Sequence, residues 1–209
     1  MPGMDLKGLL FDWGGVFTHG TFDGRVTENL SRYFERPLDA VRRAYFAEVE
    51  RLELGEWSLK RFWQHLQEAL DLHAPYPVFE RLFLGSVAPN AAMYDLLAAL
   101  PEGLVVGLLS NNYPVISRYL RAGEGFDRFD AVVFSNEEGV KKPSPEAYLL
   151  ALERMNLAPG EVLFVDDNPE NLVAAERLGL LTHHFTDART LSTELARRGL
   201  ALPAGARRP

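Results

Sequence analysis

Short apolar runs alternate with amphipathic segments along most of the chain. Five runs, at residues 8–11, 104–109, 131–134, 162–165 and 180–185, are rich in Leu, Val and Phe. Continuous apolar runs of that length suit strands buried on both faces, as in a parallel sheet. Helix-length amphipathic segments lie between them at 91–100, 114–122, 145–156 and 169–178. The third has Ser144 at its N-cap and Pro145 at the first helical position. The fourth repeats the device with Asn168 and Pro169 and stops at Gly179. The alternation predicts an α/β fold with a doubly wound, Rossmann-like parallel sheet.

Residues 18–89 break the alternation. They hold no convincing strand but show helix-period segments at 26–34, 38–54, 58–72 and 78–84. Pro37, Gly55, a turn over Pro75 and Pro77, and Gly85 punctuate them. This predicts an inserted α-helical cap at 18–89, with the Rossmann-like core built from 1–17 and 90–209. The tail from Gly199, made of small residues, Pro and Arg, reads as loose.

Composition narrows the function classes. With 22 Lys and Arg against 29 Asp and Glu, the 209 residues carry a net charge of −7, which argues against a basic nucleic-acid-binding face. There are no cysteines, so disulfides, thiolate metal sites and cysteine nucleophiles are excluded. The first residues show no secretory signal pattern, and the apolar runs are far too short to span a bilayer. A cytoplasmic protein with no membrane partner is expected. Nothing in the sequence sets an oligomeric state.

Four expected strands end in small polar or acidic residues: Asp12 after the first, Ser110-Asn111-Asn112 after the second, Ser135 after the third with Lys141 and Lys142 close behind, and Asp166-Asp167 after the fourth. Ligands bind at the carboxyl ends of strands in open parallel sheets, so these ends should converge. Three carboxylates in one place repel unless a cation sits among them, and hard oxygen ligands without His or Cys select Mg²⁺. A hydroxyl, a lysine and free amides make an anion site. A metal and a lysine around one anion suit phosphoryl transfer, with an aspartate as nucleophile. Each residue alone reads as a turn, a cap or a solvated side chain; their order and spacing together carry the signal.

Those residues resemble the haloacid dehalogenase superfamily over nearly the whole chain. Leu9-Leu10-Phe11-Asp12-Trp13-Gly14-Gly15-Val16 is similar to its first motif and Leu108-Leu109-Ser110-Asn111 to its second. Lys142-Pro143-Ser144-Pro145, running on to Tyr148, is similar to the third, and Asp166-Asp167 with Asn171 to the fourth. Within the family the chain resembles the subgroup of the epoxide hydrolase phosphatase domain and the glucose-1-phosphatase-like proteins. The resemblance implies a magnesium-dependent hydrolase of a small phosphorylated metabolite, such as a sugar phosphate. Asp12 would be the nucleophile. Ser110 and the Asn111 amide would hold phosphoryl oxygens, and Lys142 would neutralise nucleophile and phosphate together. Asp12, the Gly14 carbonyl and Asp167 would hold the metal, and Asp166 would either orient Lys142 or add a ligand. Lys141 reads as a solvated lysine.

One departure matters. The family's second Asp, an acid–base group two residues after the nucleophile, is Gly14 here, as in the glucose-1-phosphatase-like subgroup. Losing a positioned acid–base removes about 10²–10⁴ in rate. His19 has a suitable ordinary pKa to replace it, although a surface or hinge role fits it as well. Two other readings therefore stay open. A 2-haloacid dehalogenase also lacks the second Asp, but the intact Asp166-Asp167 pair speaks for a metal. A phosphate-ligand binding protein without turnover is the other. Among the cap residues, Tyr33, Phe34, Tyr45, Phe46, Trp57, Phe62 and Trp63 read mostly as bundle core, and Arg42, Arg43 and His65 as solvated. His183-His184, at a strand end, reads as structural.

Overall fold

The computed structural model describes residues 6–200. Most of the predicted loose tail and the first residues of the N-terminal reading lie outside them. The chain runs β1 (Gly8–Phe11), α1 (Phe22–Phe34), α2 (Leu38–Glu53), α3 (Leu59–Leu70), α4 (Tyr76–Leu84), α5 (Ala91–Ala98), β2 (Val105–Ser110), α6 (Pro114–Arg121), β3 (Ala131–Phe134), α7 (Ser135–Glu138), α8 (Pro145–Met155), β4 (Val162–Asp166), α9 (Pro169–Arg177), β5 (Leu181–His184) and α10 (Ala188–Arg197).

The strands form one sheet in the order β3-β2-β1-β4-β5, with every pairing parallel. The chain winds outward from β1 through β2 to β3, then returns to β4 on the other side of β1. That reversal opens a crevice at the carboxyl ends of β1 and β4. Phe11 of β1 pairs with both Leu108 and Val165, so the residues just after β1 and at the end of β4 are neighbours.

Side chains alternate across the sheet, as strand geometry requires. Leu9, Phe11, Val106, Leu108, Leu163 and Val165 face one apolar cluster, shared with α1 to α6 and α10. Leu10, Leu109, Val133, Val162 and Phe164 face the other, closed by α8 and α9. β1 and β4 are buried throughout. β5 is not: as an edge strand with one neighbour it is only partly buried, contrary to the two-sided burial expected for 180–185.

Helices α1 to α4 lie between β1 and α5. Their core is aromatic: Tyr45, Phe62, Trp63, Phe79 and Phe83 are buried, and Trp63 stacks on Phe79 at 4.7 Å. Tyr33 and Phe46 depart from the core reading and are exposed. The chain entering this insert pairs with the chain leaving it, through an antiparallel bridge between Thr18 and Pro89 and a His19 N–H bond to the Ala88 carbonyl.

Three further departures have local causes. α1 starts at Phe22, because Phe22, Val26 and Leu30 form one buried stripe at i, i+4 and i+8. Pro77 belongs to the first turn of α4, where its missing N–H costs nothing. α10 goes unmarked in the sequence reading, although Asp187 caps it by accepting from the Thr190 N–H and Leu191 and Leu195 bury one face.

Candidate active site

The crevice holds a cavity of about 410 Å³ whose walls include Asp12, Gly14, Asp23, Glu53, Lys142 and Asp167. Asp12 leaves β1 with its N–H bonded to the Val165 carbonyl at 2.9 Å, which sets it beside Asp166. Lys142 is 2 % exposed and joins the two: its Nζ lies 2.8 Å from Asp12 Oδ1 and 2.7 Å from Asp166 Oδ2. The ammonium also sits over the Phe164 ring at 5.5 Å.

Both oxygens of Asp166 are occupied. Oδ1 accepts from the Asn168 N–H at 2.7 Å, and Oδ2 accepts from Asn171 Nδ2 at 2.9 Å as well as from Lys142. Asp12 differs, since its Oδ2 has no partner among the described residues. Oxygens of Asp12, Asp166 and Asp167 lie within 4.8 Å of one another. Burial pushes the Asp12 carboxyl up to about 7; Lys142 pulls against this, while Asp166 and Asp167 add repulsion. Asp167 is raised by burial and by Asp166. Burial works to lower Lys142, but Asp12 and Asp166 outweigh it and hold the ammonium above its ordinary value.

Asn111 positions the lysine rather than standing free. Its Nδ2 donates to the Lys142 carbonyl at 3.0 Å, and its Oδ1 accepts from the Lys142 N–H at 2.9 Å. Ser110 is buried at the end of β2 and is not among the residues lining the cavity. Asn112 does line it. The Asn112 N–H is bound to Ser135 Oγ and its Oδ1 accepts from the Tyr113 N–H, while its buried Nδ2 has no partner among the described residues.

Gly15 follows with φ +78, and a Cβ there would stand 2.1 Å from Asp167 Oδ2. The tight turn therefore needs glycine on two counts. At Gly14 the nearest atom to such a Cβ is Asp12 Oδ2, 4.0 Å away, so a side chain has room. His19 is exposed and does not line the cavity, so it does not stand in for a side chain at position 14.

Lys141 is ion-paired and only partly solvated. Its Nζ binds Glu53 Oε2 at 2.8 Å and Glu50 Oε1 at 3.0 Å, tying the segment before Lys142 to α2. Ser135 Oγ adds a 2.6 Å bond to the Glu53 carbonyl. His184 Nε2 lies 3.1 Å from the Asp167 carbonyl, a structural contact. Sequence reasoning missed Asp23 and Glu53, which the insert contributes to the cavity wall.

Comparison with known proteins agrees with this geometry. Residues 6–179 match the model of the haloacid dehalogenase-like hydrolases. YhcW of Bacillus subtilis, assigned by name to the phosphatases, is 35 % identical over 185 residues, covering 84 % of this chain and 81 % of that one. A sesquiterpene phosphatase of Aspergillus oryzae is 33 % identical over 113 residues; the match spans 53 % of this chain and 58 % of that protein's length. Among solved structures, a HAD family enzyme from Bacteroides thetaiotaomicron superposes with a TM-score of 0.78 at 22 % identity, covering 91 % of this chain and 98 % of that one. The same enzyme in complex with magnesium and inorganic phosphate gives 0.71 at 23 % identity, covering 89 % and 98 %. No helix among the described residues is long and apolar enough to cross a membrane. By the family match and the identity to YhcW, the chain belongs to the haloacid dehalogenase-like hydrolase family.

Proposed function

We propose that the protein is a magnesium-dependent phosphatase of a small phosphorylated metabolite, working through an aspartyl-phosphate on Asp12. The observation that carries this reading is the buried Lys142 bridge between Asp12 and Asp166, with Asp167 alongside. It leaves Asp12 Oδ2 free to attack while Oδ1 is held. Phosphatase-named relatives of the chain support the same chemistry.

The residues present fit a divalent cation. Three carboxylates around one ammonium leave a formal charge of −2, and the donors are hard oxygens. Asp12, Asp167 and the Gly14 carbonyl would hold Mg²⁺, which when bound would neutralise charge on the phosphoryl oxygens. Asp166, with both oxygens engaged, is suited to orienting Lys142. Lys142 holds Asp12 in place and offers positive charge to the phosphoryl group. Ser110 and the Asn111 N–H would hold phosphoryl oxygens, with Asn111 lining the cavity. Residues 18–89 would act as a cap over the site, latched by Lys141 to Glu50 and Glu53.

Release of phosphate from p-nitrophenyl phosphate, with Mg²⁺ and with EDTA, tests the reading. Magnesium-dependent release is expected. Halide release from 2-chloropropionate without phosphate release would favour the dehalogenase alternative, and ligand binding without either would favour a binding protein.

Two substitutions test the turn after Asp12. Gly15→Ala should push Asp167 aside and lower turnover by about 10²-fold, the cost of a displacement near 1 Å. A magnesium titration of initial rates checks this, with a weaker apparent metal affinity expected. Gly14→Asp, by contrast, enters open space and should leave turnover of p-nitrophenyl phosphate unchanged or raise it.

A further inference from the structure

A phosphate ester with a poor leaving group needs a proton donor at the departing oxygen, and the water that clears the phosphoryl-enzyme needs a base. Gly14 supplies neither. The titratable groups lining the cavity are Asp12, Lys142, Asp167, Asp23, Glu53 and Tyr113. The first three form the charged cluster. Glu53 is taken up in an ion pair with Lys141 at 2.8 Å. Tyr113 is a buried phenol that donates to Asp23, and burial pushes it well above its ordinary value. Asp23, in the first turn of α1, remains.

Its surroundings suit proton transfer. Tyr45 and Tyr113 each donate to the same oxygen, Oδ1, at 2.5 Å. Oδ2 has no partner among the described residues, and Asp23 belongs to the cavity wall. Two phenols on one oxygen fix the carboxyl and direct any added proton to the other.

We infer that Asp23 is the catalytic acid and base of the reaction proposed above, presented to the leaving group by the insert in place of a side chain at position 14. The inference rests on that reading. In the first step Asp12 Oδ2 attacks phosphorus, the bond from phosphorus to the leaving oxygen breaks, and that oxygen takes its electron pair and the proton on Asp23 Oδ2. In the second a water oxygen attacks phosphorus and gives a proton to Asp23. The electron pair of the phosphorus–Asp12 bond returns to Asp12.

Burial raises Asp23 to about 6, the two tyrosine hydroxyls pull it down, Glu53 pushes it up and Lys141 lowers it. Across the cavity stand Asp12, Asp167 and Lys142. An acid works only when protonated, so kcat/KM for an alkyl phosphate falls as pH rises through that value.

The test is Asp23→Asn, which keeps the shape of the side chain, assayed on ethyl phosphate and on p-nitrophenyl phosphate. Ethoxide needs the proton and p-nitrophenolate scarcely does. The expected loss in kcat/KM is about 10²–10⁴-fold for ethyl phosphate and under about tenfold for p-nitrophenyl phosphate. Adding Gly14→Asp should restore part of the ethyl phosphate activity. Equal losses on both esters would show a structural role and overturn the inference. If Asp23→Asn fails to fold, Tyr113→Phe decides. Loss of one phenol bond should move the falling limb of the ethyl phosphate profile to higher pH, and an unmoved limb would overturn the inference. Absence of wild-type phosphate release from p-nitrophenyl phosphate would instead contradict the phosphatase reading itself.

Discussion

Asp12→Asn is expected to abolish phosphate release, by about 10⁴-fold or more, while the protein stays folded. The amide nitrogen or neutral carbonyl that replaces Oδ2 cannot form the bond to phosphorus. The fold should tolerate the change because burial already works against charge at this position. Lys142 also keeps its second partner, Asp166, at 2.7 Å. Near-normal thermal unfolding with lost phosphate release is the expected pair of results. Turnover above background in this variant would refute Asp12 as nucleophile.

Lys142→Met should cost both stability and rate. The thioether fills much the same space but removes the one ammonium between Asp12 and Asp166. Breaking a buried pair by removing one partner costs about 3–5 kcal/mol, because the remaining charge is left uncompensated. Here two carboxylates are left facing each other. The loss of positive charge at the reacting centre should lower turnover by about 10²–10³-fold. Urea unfolding and initial-rate kinetics check the two effects separately. Lys141→Met is the control: its lysine is partly exposed and contacts Glu50 and Glu53 rather than the cluster. It should lose far less stability, since partly exposed ion pairs contribute only about 0–1 kcal/mol.

What was legible in the sequence divides along a physical line. The strand-terminal residues Asp12, Asp166 and Asp167 could be placed because each sits just beyond a short apolar run, and a parallel sheet brings such ends together. The sheet makes this concrete by pairing Phe11 with Val165. Lys142 was legible from its local setting before two prolines. Helix α10 was present as Asp187 and the Leu191–Leu195 pair, but a polar face and a loose-looking tail hid it.

The insert's share of the site was not legible. Asp23 is an ordinary first-turn acid in its own helix, and its value comes from Tyr45 and Tyr113, 22 and 90 positions away. Lys141 meets Glu53 across 88 positions. Tyr45 reads as one more apolar-face aromatic until its hydroxyl is traced to Asp23. Contacts of that separation depend on how the insert seats on the sheet, which neither periodicity nor spacing reports. Ser110 sits at the end of β2 as its apolar run predicts, but its burial, with Asn111 and Asn112 rather than Ser110 lining the cavity, depends on packing that the run does not report.

A nucleophilic Asp12 must become phosphorylated during turnover. The most direct measurement is a rapid acid quench of the enzyme during turnover of p-nitrophenyl phosphate with Mg²⁺, followed by peptide mass mapping. One added phosphoryl group is expected on the peptide holding Asp12, and none in Asp12→Asn. A phosphoryl group on any other residue, or phosphate release with no labelled peptide at any quench time, would contradict it.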